Sequence, residues 1–123
     1  MYDVVALGKL LIDFTPSGTS PTGMRLFEQN PGGAPANVLC ALSNLGRHTG
    51  FIVKVGMDTH GDFLRNVLVE KGVDTRELIS DPDMFTTLAF VSFSDTGERS
   101  FSFARKPGAD TCLKDRRVKY GYA

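Results

Sequence analysis

The chain has 123 residues, which is one domain's worth of sequence or part of one. Its hydrophobic content of 41% suffices for a packed core, and its 14 basic and 14 acidic side chains cancel, so no global field draws it to nucleic acid or to an anionic membrane. No apolar stretch approaches the ~20 residues of a membrane span, and the N-terminus lacks the basic start and apolar run of a signal peptide, which points to a cytoplasmic protein.

Residues 3–8 read as a buried strand. Asp13 follows just after it, at the end where a parallel sheet presents its ligands. From Thr15 to Gly23 the chain is rich in Pro, Gly, Ser and Thr and predicts a projecting flap, with a short strand returning near Leu26 to Gln29. Then comes Pro31-Gly32-Gly33-Ala34-Pro35-Ala36-Asn37-Val38. The two glycines allow a tight turn and close approach of a ligand, and Pro35 suits the first turn of a helix. Val38, Leu39, Leu42 and Leu45 follow at helical spacing and Gly46 is placed as a stop, so a helix is expected over 35–45. Its N-terminus would aim free N–H groups at a glycine-floored pocket, with Asn37 one turn in. An ordinary loop entering a surface helix carries the same local signature.

Phe51 to Val55 reads as the next strand, and 61–71 as a second helix with Asp62 near its start, Phe63, Leu64, Val67 and Leu68 on one face and Gly72 as its stop. Strand, helix, strand, helix implies a parallel sheet with right-handed crossovers. Thr87 to Phe93 and Ser100 to Arg105 are two strands around the hairpin signal Asp95-Thr96-Gly97-Glu98. A period of two sets Phe101, Phe103 and Arg105 on one face and Ser100, Ser102 and Ala104 on the other. An Arg ending a Phe row marks either a ligand-facing surface or a rim residue with its head in water. Cys40, on the first helix, reads as a reduced core thiol, and with Cys112 forms no metal-like spacing. His48 and His60 are isolated and read as loop or surface residues, so no metal site is expected.

Four segments occur in order: Tyr2-Asp3-Val4-Val5-Ala6-Leu7-Gly8, Leu10-Leu11-Ile12-Asp13-Phe14, Gly32-Gly33-Ala34-Pro35-Ala36-Asn37 and Val53-Lys54-Val55-Gly56-Met57-Asp58-Thr59-His60-Gly61. Together they resemble the first part of the PfkB (ribokinase-like) carbohydrate kinases, over about Met1 to Asp110, and the Ala-Pro pair after the glycines is similar to bacterial fructokinases. The resemblance implies a ribokinase-like α/β fold: a parallel, Rossmann-like βαβα sheet with a small β lid from segments about 13–30 and 86–106, in a truncated N-terminal portion spanning 1–110. Residues 111–123 form an atypical tail, with a basic run from Lys114 to Lys119 that reads as a solvated end. It further implies that Asp13, Gly32, Gly33 and Asn37 contact the sugar and that Arg105 reaches it from the lid. Phe103 would pack on the sugar's apolar face or within the lid. The chemistry suits a polyol, since a carboxylate accepts from two vicinal hydroxyls and an amide both donates and accepts. The plainer alternatives are a turn carboxylate for Asp13 and a local capping amide for Asn37. Lys9 departs from the Glu usual in the family's Gly-Glu-x-x-x-Asp and would alter an ion pair or the field beside the ligand strand.

Phosphoryl transfer needs a nucleotide pocket, a Mg²⁺ site and a group that orients the attacking hydroxyl. The resemblance implies ATP and Mg²⁺ for the full-length kinase, with the base supplied by a Gly-Ala-Gly-Asp segment. No such segment and no Walker-type loop occurs here, and Gly108-Ala109-Asp110 only superficially resembles one. The chain is therefore expected to hold the sugar-binding half without the catalytic half: no catalytic residue, no bound cofactor and no activity by itself. The implied reaction is ATP-dependent phosphorylation of fructose at O6. Ketodeoxygluconate, ribose or a nucleoside are substrates of the same fold, and a non-catalytic sugar-binding or dimerisation fragment, pairing as a homodimer through the lid, is the reading from another class.

Overall fold

The structure, a computed structural model, describes residues 1–104 and Ala109. The elements are β1 (Val4–Leu7), β2 (Leu11–Thr19), β3 (Arg25–Gly32), α1 (Ala34–Asn44), β4 (Thr49–Gly56), α2 (Thr59–Glu70), β5 (Val73–Asp74), β6 (Leu78–Asp81), β7 (Leu88–Phe93) and β8 (Arg99–Ala104).

β4 centres the first sheet. It pairs in parallel with β1 along one edge, and along the other with β5 at its start and β6 at its end. Both helices lie on one face, because the two crossovers step in the same direction with the same hand. Leu39 of α1 and Leu64 and Leu68 of α2 meet Phe51, Val53 and Val55 there, and each of these large side chains contributes about 1.5–3 kcal/mol by leaving water. Lys54 points to the opposite face, where it is buried and paired with Asp81 of β6 at 3.1 Å. Its charge is tolerated because the partner sits one strand away.

The second sheet has the order β3-β2-β7-β8. Two antiparallel hairpins, β2–β3 and β7–β8, are joined by a parallel seam of three pairs, Ile12↔Leu88, Asp13↔Ala89 and Phe14↔Phe90. Leu10 and Ile12 are fully buried and root this sheet in the core of the first. Among the described residues no helix is long and apolar enough to cross a membrane.

Several local expectations are corrected. β1 is not buried on both faces: Val4 and Ala6 pack on the core, whereas Val5 and Leu7 are exposed, because the described helices cover one side only. Asp13 does not follow the first strand but is the third residue of the second. The projecting flap from Thr15 is a regular hairpin with longer strands than expected: it continues β2 to Thr19 and returns along β3 from Arg25 to Gly32, since cross-strand pairing overrides the weak strand preference of Pro, Ser and Gly. Pro16 fits because β7 pairs with β2 only as far as Phe14, and the β2–β3 register shifts just beyond it. On α1 the core face is Ala36 and Leu39, with Cys40 beside them; Val38 and Leu45 are exposed although they match the helical period. α2 begins two residues earlier than the expected 61, capped by Asp58. β5 and β6 were not foreseen, being too short to display a period of two.

Candidate functional site

The turn after β1 and the diglycine converge, although about two dozen residues separate them. Gly33 is the N-cap of α1, at φ 109 and ψ 126, and it offers no capping side chain. A Cβ at that position would run into the carbonyl oxygen of Lys9, so the backbone there requires glycine. The first helical acceptor is used by Asn37, whose N–H donates to Gly33 O at 3.3 Å. Pro35 has no N–H, which leaves those of Ala34 and Ala36 without an intrahelical acceptor at the helix mouth.

Asp13 lies against this mouth. A Cβ on Gly32 would stand 2.5 Å from Asp13 Oδ2 and 2.9 Å from its Cγ, so the carboxyl group rests directly on the Gly32 backbone. The group is half-buried and accepts no hydrogen bond from any described residue. Burial alone raises its pKa above the ordinary carboxylate value. A carboxylate stripped of water without a donor is unfavourable, and a ligand hydroxyl would relieve it. The sign for stability follows. Below the ordinary carboxylate pKa both folded and unfolded chains are protonated at this site, and as pH rises through the raised folded pKa the native state loses stability. Asp13→Asn is therefore expected to be neutral or mildly stabilising at pH 7 and to flatten that part of the profile, as read by urea denaturation at pH 4 to 8.

Register partners on adjacent strands face the same way, so the pairs Asn30↔Asp13, Asp13↔Ala89 and Ala89↔Phe103 define one row across the second sheet. Phe103 thus shares the face of Asp13, about 10 Å away at two strand spacings, and stacks on Phe101 with ring centroids 6.1 Å apart. Asn37 lies on the first turn of α1, exposed, and no hydrogen bond joins it to Asp13. Arg105 lies outside the described residues, as do Gly108, Asp110 and the tail. So the structure groups Asp13, Gly32 and Gly33, sets Phe103 in the same row, and places Asn37 on the first turn of the helix that Gly33 opens. The Lys9 side chain is exposed and forms no ion pair among the described residues; its carbonyl is the part that packs.

Other residues acquire roles that the linear pattern did not disclose. His60, expected to be a bland surface residue, sits on the first turn of α2, meets the Phe14 ring edge-on at 5.8 Å and hydrogen-bonds Gln29 at 3.2 Å. It ties α2 to the back of the second sheet. His48 does remain exposed, with Nδ1 2.7 Å from the Met1 carbonyl oxygen. Asp58 accepts from Gly61 N at 2.7 Å, Thr86 N at 2.9 Å and Thr86 Oγ1 at 2.7 Å, while Thr86 Oγ1 accepts from Gly56 N at 3.0 Å. This fixes the segment leading into β7 against the end of β4. Cys40 is half-buried, and burial pushes its thiol pKa up despite the nearby Lys71, which suits an unreactive thiol. Among the described residues no three His, Cys, Asp or Glu side chains are grouped closely enough to hold a metal.

A parallel sheet carrying helices on one face, with a second β sheet rooted beside an uncapped helix N-terminus, defines a ribokinase-like α/β protein. The family described as pfkB family carbohydrate kinase matches residues 1–117. The chain is 45% identical over 117 residues to "Probable fructokinase-5" of Arabidopsis thaliana, covering 94% of this chain and 36% of that protein. It is 43% identical over 117 residues to "Fructokinase-2" of Oryza sativa subsp. japonica, covering 94% and 35%. Among solved structures, the fructokinase with bound ATP from Xylella fastidiosa superposes with a TM-score of 0.82 at 39% identity, over 93% of this chain and 34% of that one. The chain belongs to the PfkB family of carbohydrate kinases. It spans about a third of the length of the curated relatives it matches.

Proposed function

We propose that this chain provides the sugar-holding part of a fructokinase-type kinase, which transfers the γ-phosphoryl group of ATP to O6 of fructose. The observation that carries the reading is Asp13: a half-buried carboxylate without a donor among the described residues, lying on Gly32 at the mouth of a helix whose first N–H groups have no intrahelical acceptor. In this reading Asp13 accepts from two vicinal hydroxyls, Gly32 and Gly33 let the sugar approach the backbone, and Asn37 closes in from the helix. Phe103 covers the apolar side of the ring, and Arg105, just past the described end of β8, reaches in from the lid. In the whole kinase ATP with Mg²⁺ supplies the phosphoryl group. In this reading the task of Asp13, Gly32, Gly33 and Asn37 is to bind and orient the acceptor.

The test is a titration of the chain with fructose, followed by thermal unfolding and by assay with Mg²⁺-ATP. Fructose is expected to raise the unfolding temperature of the wild type and not of Asp13→Ala, and no sugar phosphate is expected to form. An undiminished fructose response in Asp13→Ala sinks the reading. A larger response to ketodeoxygluconate or ribose moves the substrate within the same family. A second reading, self-association through the lid, is favoured by the exposed rings of Phe27, Phe90, Phe93, Phe101 and Phe103 on the second sheet. A monomeric mass in solution removes it.

A further inference from the structure

Asn30 stands directly opposite Asp13, as its register partner on β3. Paired side chains of neighbouring antiparallel strands lie ~5 Å apart at Cβ, so the amide and the carboxylate border one space on one face of the sheet. Asn30 is half-buried and its conformation is fixed, because Nδ2 donates to Thr15 Oγ1 at 3.3 Å. The remaining capacity of that amide, its Oδ1 and its second N–H, meets no partner among the described residues. Two residues further along the same strand face comes Gly32, which leaves room over the backbone beside Asp13. Asp13 can only accept when ionised, whereas Asn30 can also donate. The two together match a polyol in which one hydroxyl gives its proton to Asp13 while its neighbour both donates and accepts.

We infer that Asn30, held by Thr15, is a specificity-determining residue of the sugar site, reading the orientation of the hydroxyl next to the one gripped by Asp13. The inference rests on the sugar-holding reading of Asp13. Thr15 touches no ligand in this scheme and is a positioning residue that sets the Asn30 amide. The four D-ketohexoses fructose, sorbose, tagatose and psicose present the same groups and differ only in the orientation of the hydroxyls at C3 and C4. A site that hydrogen-bonds a given hydroxyl discriminates among them, because the wrong epimer leaves a protein group unpaired.

The experiment is NMR titration of the full chain with each ketohexose, following the side-chain amide resonances of Asn30 together with backbone amides of residues 32–37. In the wild type, fructose is expected to shift both sets, and the Asn30 signals are expected to distinguish fructose from its epimers. Asn30→Ala is expected to weaken fructose binding about tenfold and to level the four sugars. Thr15→Val is expected to lose part of that discrimination and Thr15→Ser to restore it, a pattern that a purely structural role for the pair would not give. If fructose shifts residues 32–37 while the Asn30 amide stays still and Asn30→Ala keeps the wild-type ranking, the assignment is overturned and the sugar-holding reading stands. If no ketohexose shifts any of these resonances in the wild type, the sugar-holding reading fails and the assignment falls with it.

Discussion

Gly33→Ala is expected to lower the stability of the fold by about 3 kcal/mol, seen as a fall in the urea midpoint with an unchanged slope. Two effects combine. A φ of 109 with ψ 126 is a backbone state that L side chains rarely adopt, and the added methyl would collide with the Lys9 carbonyl, a backbone atom that cannot swing away. Asparagine tolerates the left-handed helical region but is not expected to rescue, because that ψ lies outside it. Gly32→Ala gives the opposite separation. Its methyl would meet the Asp13 carboxylate at 2.5 Å and Leu11 Cδ1 at 3.0 Å, both ends of side chains that can rotate. The expected loss of stability is about 1 kcal/mol, while the fructose response is abolished because the carboxylate is pushed from its seat. Equal stability losses for the two variants would refute the placement of Asp13 on Gly32.

Asp58→Ala is the other large effect. The carboxylate accepts three hydrogen bonds, from Gly61 N and from the N–H and hydroxyl of Thr86, and Thr86 is 2% exposed. Truncation removes the α2 cap and strands a buried donor, for a combined loss of about 3 kcal/mol. Burial by itself would raise the pKa of Asp58, but the bonds from Thr86 and Gly61, with His60 nearby, outweigh it and hold the group below the ordinary carboxylate value. The stabilisation is therefore complete above the unfolded pKa, near 3.8, and is lost as pH falls through the lower folded pKa. Asp58→Asn keeps an acceptor oxygen and is expected to lose less stability at pH 7 than Asp58→Ala, with a flatter acid limb. Acid unfolding curves of the three proteins check this, and superimposable acid limbs would show that the carboxylate charge plays no part.

How much of this was legible in the sequence depended on whether the signal was local. The helix starting near Pro35 and stopping at Gly46 was, because glycine and proline constrain their own dihedrals. The β7–β8 hairpin was, because the Asp95-Thr96-Gly97-Glu98 turn sits between two alternating runs. The strand character of Thr15 to Thr19 was not, since Thr-Pro-Ser-Gly-Thr has no intrinsic preference for it and pairs only because β3 is supplied alongside. Asn30 was hidden because the expected returning strand stops at Gln29: once that strand runs on to Gly32, Asn30 and Gly32 share a face. The Asp58–Thr86 anchor was hidden for another reason, joining residues 28 apart in sequence through a contact that neither neighbourhood announces. The pairing of a glycine turn with a carboxylate at Asp13 was legible only as a resemblance; the contact itself is a product of tertiary convergence.

Asp13 occupies the middle rung of the short ladder that joins the two hairpins, so its backbone is clasped on both flanks while its side chain overhangs the helix mouth. A molecule held by both Asp13 and that helix would act as a tether between cover and base. Recognition and enclosure would then be one mechanical event: a guest of the wrong shape fails to draw the two together, and the compartment stays open to water without any separate proofreading device.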